Sequence, residues 1–108
     1  NLVFLDLRGC AYIDDWGVTE LTKGGCPHLS SLNLAYCKLI GMASMVALVT
    51  KCPKLSFLNL EVTGVLFWYQ RSYRGKQLIA LKKQLLRDGL IPSSSGAATV
   101  ALFGNLRF

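Results

Sequence analysis

Cys26-Pro27-His28-Leu29-Ser30-Ser31-Leu32-Asn33-Leu34-Ala35-Tyr36-Cys37 is the stretch that decides the fold. Its leucine spacing returns on both sides. Leu2, Leu5, Leu7 and Cys10 stand 27 residues before Leu29, Leu32, Leu34 and Cys37; Leu55, Leu58, Leu60 and Thr63 stand 26 residues after them. Cys26-Pro27 precedes the second copy as Cys52-Pro53 precedes the third. Between copies Ile13 aligns with Ile40 and Leu21 with Leu48. So many coincident positions mark an internal repeat.

The physics of one copy follows from its two periods. In Leu-x-Leu, alternate side chains of an extended chain point to one face, so Leu5 and Leu7 and their copies point inward. After the turn the spacing becomes helical, with Val18 and Leu21 in the first copy and Met45, Val46, Leu48 and Val49 in the second. Each copy therefore reads as strand, turn, helix and return, and no copy buries its core without a neighbour. Asp14 is placed to cap the first helix, and Gly24-Gly25 to end it. Pro27 and Pro53 sit where a helix cannot continue. Gly41 replaces the capping Asp14 in the second copy, which predicts a weaker helix start there. The expected elements are parallel strands near 3–7, 30–34 and 56–60 and outer helices over about 16–23 and 43–51.

These residues resemble the cysteine-containing leucine-rich-repeat family found in F-box proteins. That family's pattern C-P-x-L-x-x-L-x-L-x-x-C is matched by residues 26–37, and I-T-D-x-G-V-x-x-L is matched with one change by Ile13-Asp14-Asp15-Trp16-Gly17-Val18-Thr19-Glu20-Leu21. The resemblance covers residues 1 to about 65. It implies an α/β leucine-rich-repeat solenoid, a right-handed horseshoe fragment with a concave parallel sheet and outer helices. It also implies the substrate-recognition arm of a cullin-type (SCF) ubiquitin ligase, whose ligase subunits would be met through an F-box upstream. A structural or assembly repeat protein without a ligase role is the alternative.

The concave face is where a protein partner is expected. Residues flanking the inward leucines form three rows across the ladder: Phe4-Ser31-Phe57, Asp6-Asn33-Asn59 and Arg8-Ala35-Glu61. The candidate partner-binding residues are Phe4, Asp6, Arg8, Ser31, Asn33, Phe57, Asn59 and Glu61, because aromatic side chains are enriched in interface cores. Chemistry is not legible. His28 is the one histidine and falls on a return loop; Asp14-Asp15 read as helix caps; Gly24-Gly25 lacks the Lys-Ser/Thr of a phosphate loop. The gaps between Cys10, Cys26, Cys37 and Cys52 are too wide for a zinc knuckle, and the repeat makes them small core thiols, with a disulfide between equivalent sites of stacked coils as the alternative. No enzyme, cofactor or metal is expected, and free thiols place the chain in the cytoplasm or nucleus.

Charge separates the two parts of the chain. Residues 1–65 carry five basic and five acidic side chains, whereas residues 66–108 carry seven basic side chains against Asp88 alone. Three regions are expected: repeats over 1–65, a basic amphipathic helical cap over 66–92, and a flexible, apolar tail over 93–108. Within the second, Leu78, Leu81 and Leu85 share a face of a helix near Lys76–Arg87. It reads as a cap on the open end of the repeats or, alternatively, as a membrane-surface or calmodulin-type ligand. No nucleic-acid motif accompanies it. The longest plain apolar run, Val65 to Tyr69, is far short of the ~20 residues of a spanning helix. The chain opens at Asn1 inside the repeat pattern, so a further coil is expected upstream against Leu5, Leu7 and Leu21.

Overall fold

The computed structural model describes residues 2–65 and 69–91. The elements follow the order β1 (Phe4–Asp6), α1 (Asp15–Leu21), β2 (Ser31–Asn33), α2 (Met42–Lys51), β3 (Phe57–Asn59), β4 (Ser72–Arg74) and α3 (Lys76–Arg87). They form one four-stranded sheet in the order β1-β2-β3-β4. β1, β2 and β3 pair in parallel with Leu5, Leu32 and Leu58 in register. Each returning helix occupies the side of the sheet toward which these leucines point, and α1 packs against α2. The result is an α/β fold with a mixed sheet.

The core is the leucine set of the repeat. Leu29, Leu32, Leu34, Leu58 and Leu60 are fully buried, joined by Val18, Ile40, Met45 and Leu48 from the turns and helices. Burying one such side chain stabilises the fold by roughly 1.5–3 kcal/mol relative to exposure. The first coil is less covered. Leu5, Leu7 and Ile13 are half-buried, and Leu21 and Cys10 are exposed. β1 is the edge strand, and no described element covers this face of the first coil.

Between coils the same hydrogen bonds recur. Ser30 Oγ donates to Val3 O (3.2 Å) and Ser56 Oγ to Ser30 O (3.1 Å). Cys37 Sγ lies 3.0 Å from Leu7 O of the coil before it. Thr63 takes the corresponding place in the third copy and turns instead to Leu60 O within its own coil (2.7 Å).

The helix starts differ in an instructive way. Asp14 caps α1 as expected, its Oδ1 accepting from Gly17 N at 2.9 Å. Gly41 has no side chain to cap α2, yet α2 is not left uncapped. Asp15 of the preceding coil reaches across, and its Oδ1 accepts from Gly41 N (2.9 Å), from Ser44 N (3.1 Å) and from the Ser44 hydroxyl. The expectation of a weak start for α2 is corrected, because the cap is supplied between coils.

Beyond the third copy the chain turns back. β4 pairs antiparallel with β3, placing Tyr73 opposite Leu58, and so covers the edge that β3 would otherwise expose. α3 follows and sinks Leu78, Leu81 and Leu85 into the core. The Tyr69 hydroxyl donates to Asp88 just past the end of α3. Both the hydroxyl's burial and the neighbouring carboxylate push the Tyr69 pKa upward. No helix among the described residues is long and apolar enough to cross a membrane. The tail expected over 93–108 lies outside the described residues.

Candidate binding surface

The strands present their alternate residues on the face of the sheet away from the helices. The register brings the first expected row together: Phe4 lies opposite Ser31, Ser31 opposite Phe57, and Phe57 opposite Arg74 of β4. Phe4 is 64% exposed, a high value for a large apolar ring. Phe57 is half-buried because the Arg74 guanidinium stacks 4.4 Å from its ring centroid, a cation–π contact. Arg74 was not among the residues expected from sequence, since only the pairing of β4 brings it there.

The second row, Asp6-Asn33-Asn59, is aligned as expected, with Ser72 next to Asn59. Its side chains share a local task. Asp6 Oδ1 accepts from Arg8 N (3.0 Å), Asn33 Oδ1 from Ala35 N (3.0 Å) and Asn59 Oδ1 from Glu61 N (2.9 Å). Each closes an Asx turn that ends its strand and starts the loop toward the next helix. One acceptor of every side chain in this row is therefore engaged by its own backbone.

The third row is broken. Ala35 is buried, its methyl too short to emerge between the flanking coils, while Arg8 and Glu61 stay exposed. Arg8 pairs with Asp6 at 3.6 Å. Both groups are well solvated, so this pair contributes little to stability.

Immediately after the strands, one position per coil adopts a left-handed backbone: Gly9 (φ 77), Tyr36 (φ 65) and Val62 (φ 54). Glycine takes this conformation freely, but tyrosine and the β-branched valine do so at a cost. The side chains of Tyr36 and Val62 nonetheless face solvent, and Tyr12 and Leu39 in the following turns are exposed as well.

Residues 25–49, from the turn before β2 through most of α2, match the family described as Leucine Rich repeat. This segment is similar to a leucine-rich repeat. The matched residues span the second coil, and the first and third strands stack on its strand in register.

The cysteines divide by position. Cys37 and Cys52 are buried, Cys26 is half-buried and Cys10 is exposed, and all four are free. The expectation of four core thiols is corrected at Cys10, which lies on the face of the first coil that no neighbour covers. Burial pushes the Cys37 thiol pKa up. Burial, with Cys26 beside it, pushes Cys52 up to about 12. Both are poor nucleophiles in consequence. His28 is exposed on its return loop, and among the described residues no three His, Cys, Asp or Glu side chains gather as a metal site would require.

Proposed function

We propose that this chain is a non-enzymatic protein-recognition module whose exposed sheet face, bounded by Phe4, Phe57 and Arg74, holds a protein partner. The observation that carries the reading is the aligned row Phe4-Ser31-Phe57-Arg74, which sets a solvent-facing ring and a stacked Arg–Phe pair on a rigid sheet. Aromatic and arginine side chains on a pre-ordered surface dominate binding energy at interfaces. Asp6, Arg8, Ser31, Asn33, Asn59 and Glu61 supply the polar surround. In the finer form of this reading the repeats over 1–65 belong to a horseshoe of the cysteine-containing kind. It would work as the substrate-recognition arm of an F-box-type ubiquitin ligase in the cytoplasm or nucleus, with α3 closing one end. The packing of Leu78, Leu81 and Leu85 supports a closing role for α3, because its apolar face is already engaged with the core.

The test has two stages. Crosslinking-assisted capture with the wild-type chain and with Phe4→Glu and Phe57→Glu variants should return partners whose recovery falls at least tenfold with each substitution, as for interface hot spots. The captured partner should then accumulate in cells when cullin activation is blocked. Partners recovered equally by all three chains would overturn the recognition surface. Partners whose abundance ignores cullin activity would overturn the ligase assignment alone.

A further inference from the structure

A second surface lies between the turn leaving α2 and the body of α3. It is a groove of about 470 Å³. Val49, Leu55, Leu78 and Ile79 supply its apolar lining, and Lys54 and Lys82 also line it. Ile79 and Lys82 are three residues apart on α3 and so share a face. Leu78 is buried there, whereas Ile79 is 59% exposed, an apolar side chain at the mouth of the groove.

The electrostatics are one-sided. No acidic residue lines the groove. Among the described residues the ion pairs are Arg8–Asp6 and Lys23–Glu20, so Lys54 and Lys82 have no carboxylate partner. α3 itself contains Lys76, Lys82, Lys83 and Arg87 and no acid, and Asp88 at its end is engaged by the Tyr69 hydroxyl. An apolar lining that also carries two unpaired ammonium groups is complementary to a ligand with apolar and anionic groups close together.

We propose that this groove binds a short acidic peptide segment of a partner protein, with an apolar side chain seated between Val49, Leu55 and Ile79 and carboxylates reaching Lys54 and Lys82. A groove of about 470 Å³ favours a short peptide over an anionic bilayer, because a flat lipid surface does not fill a concavity. The groove shares no residue with the exposed sheet face, so this proposal stands apart from the one above.

Fluorescence polarisation of the whole chain with a fluorescein-labelled Glu-Glu-Leu-Phe-Glu-Glu peptide in low-salt buffer tests it. Saturable binding is expected, weakened about tenfold by Lys54→Glu or Lys82→Glu and by added salt. Ile79→Ser should also weaken it, and Phe57→Ala should leave it unchanged. Lys54, Ile79 and Lys82 are solvent-exposed, and circular dichroism of each variant checks that the fold persists. Absence of saturable binding, or wild-type affinity in the Lys54→Glu and Lys82→Glu variants, overturns the proposal. So does lysine-dependent binding to phosphatidylserine vesicles that the peptide fails to displace.

Discussion

Replacing Asp15 by alanine should cost far more than replacing its neighbour Asp14, although both carboxylates cap helices. Asp14 makes one exposed bond to Gly17 N, and its loss costs about 1 kcal/mol, the usual value for an N-cap. Asp15 receives three donors on the following coil: Gly41 N, Ser44 N and the Ser44 hydroxyl. Its removal takes away the side-chain cap of α2, again about 1 kcal/mol. It also strands the hydroxyl of Ser44, which is fully buried, and an unsatisfied buried polar group costs about 1–3 kcal/mol. Asp15→Ala is thus expected to cost about 2–4 kcal/mol, a large fraction of the ~5–15 kcal/mol that holds a domain together. In a domain of this size that lowers Tm by roughly 10–25 °C. Urea unfolding followed by circular dichroism gives the difference directly. Asp15→Asn keeps an acceptor oxygen and should be milder. In the double variant Asp15→Ala with Ser44→Ala no hydroxyl is stranded, so the two costs should fall short of additivity by about 1 kcal/mol. If Asp15→Ala costs no more than Asp14→Ala, the claim that the coils cap one another is wrong.

Gly64 should not tolerate a side chain, because a Cβ there would sit 2.9 Å from Ile40 O; Gly64→Ala is expected to destabilise by about 1–3 kcal/mol in the same unfolding assay. Tyr36→Gly should do the reverse. The left-handed backbone costs a tyrosine about 1–2 kcal/mol, and glycine's extra chain entropy offsets only part of that, for a gain of roughly 0.5–1 kcal/mol; a loss of stability on urea titration would show that the Tyr36 ring contributes packing. A thiol reagent at neutral pH should modify Cys10 fastest and Cys26 more slowly, with Cys37 and Cys52 reacting only after unfolding, when four thiols are counted. The raised Cys52 pKa sets a pH dependence: the folded state holds that proton more tightly, so its contribution is complete below about pH 9 and is lost as pH climbs toward 12. Unfolding measured from pH 7 to 11 should show this decline, and Cys52→Ala should make it shallower.

The repeat was legible in the sequence because its physics is local and periodic. Two leucines on one side of an extended segment, then apolar residues at helical spacing, then Cys-Pro, prescribe strand, helix and return without knowledge of neighbours. The repeat spacing also aligned Phe4 with Ser31 and Phe57, and Asp6 with Asn33 and Asn59, since equal steps along a repeating chain become adjacent rungs of a ladder. The basic helix over Lys76–Arg87 was legible for the same reason. What the pattern could not contain was everything created by one coil meeting another, or by the departure from the repeat. The carboxylate of Asp15 belongs by spacing to α1, yet it caps α2. Residues Ser72–Arg74 carry no periodic signal; they form a strand because β3 offers an open edge, and that pairing alone lays Arg74 over Phe57. Cys10 and Cys37 are indistinguishable in the pattern, but one is exposed and the other buried, because burial depends on having a coil on both sides. Local spacing determined the elements and their register; the stacking of coils decided which side chains are capped, covered or left to face a partner.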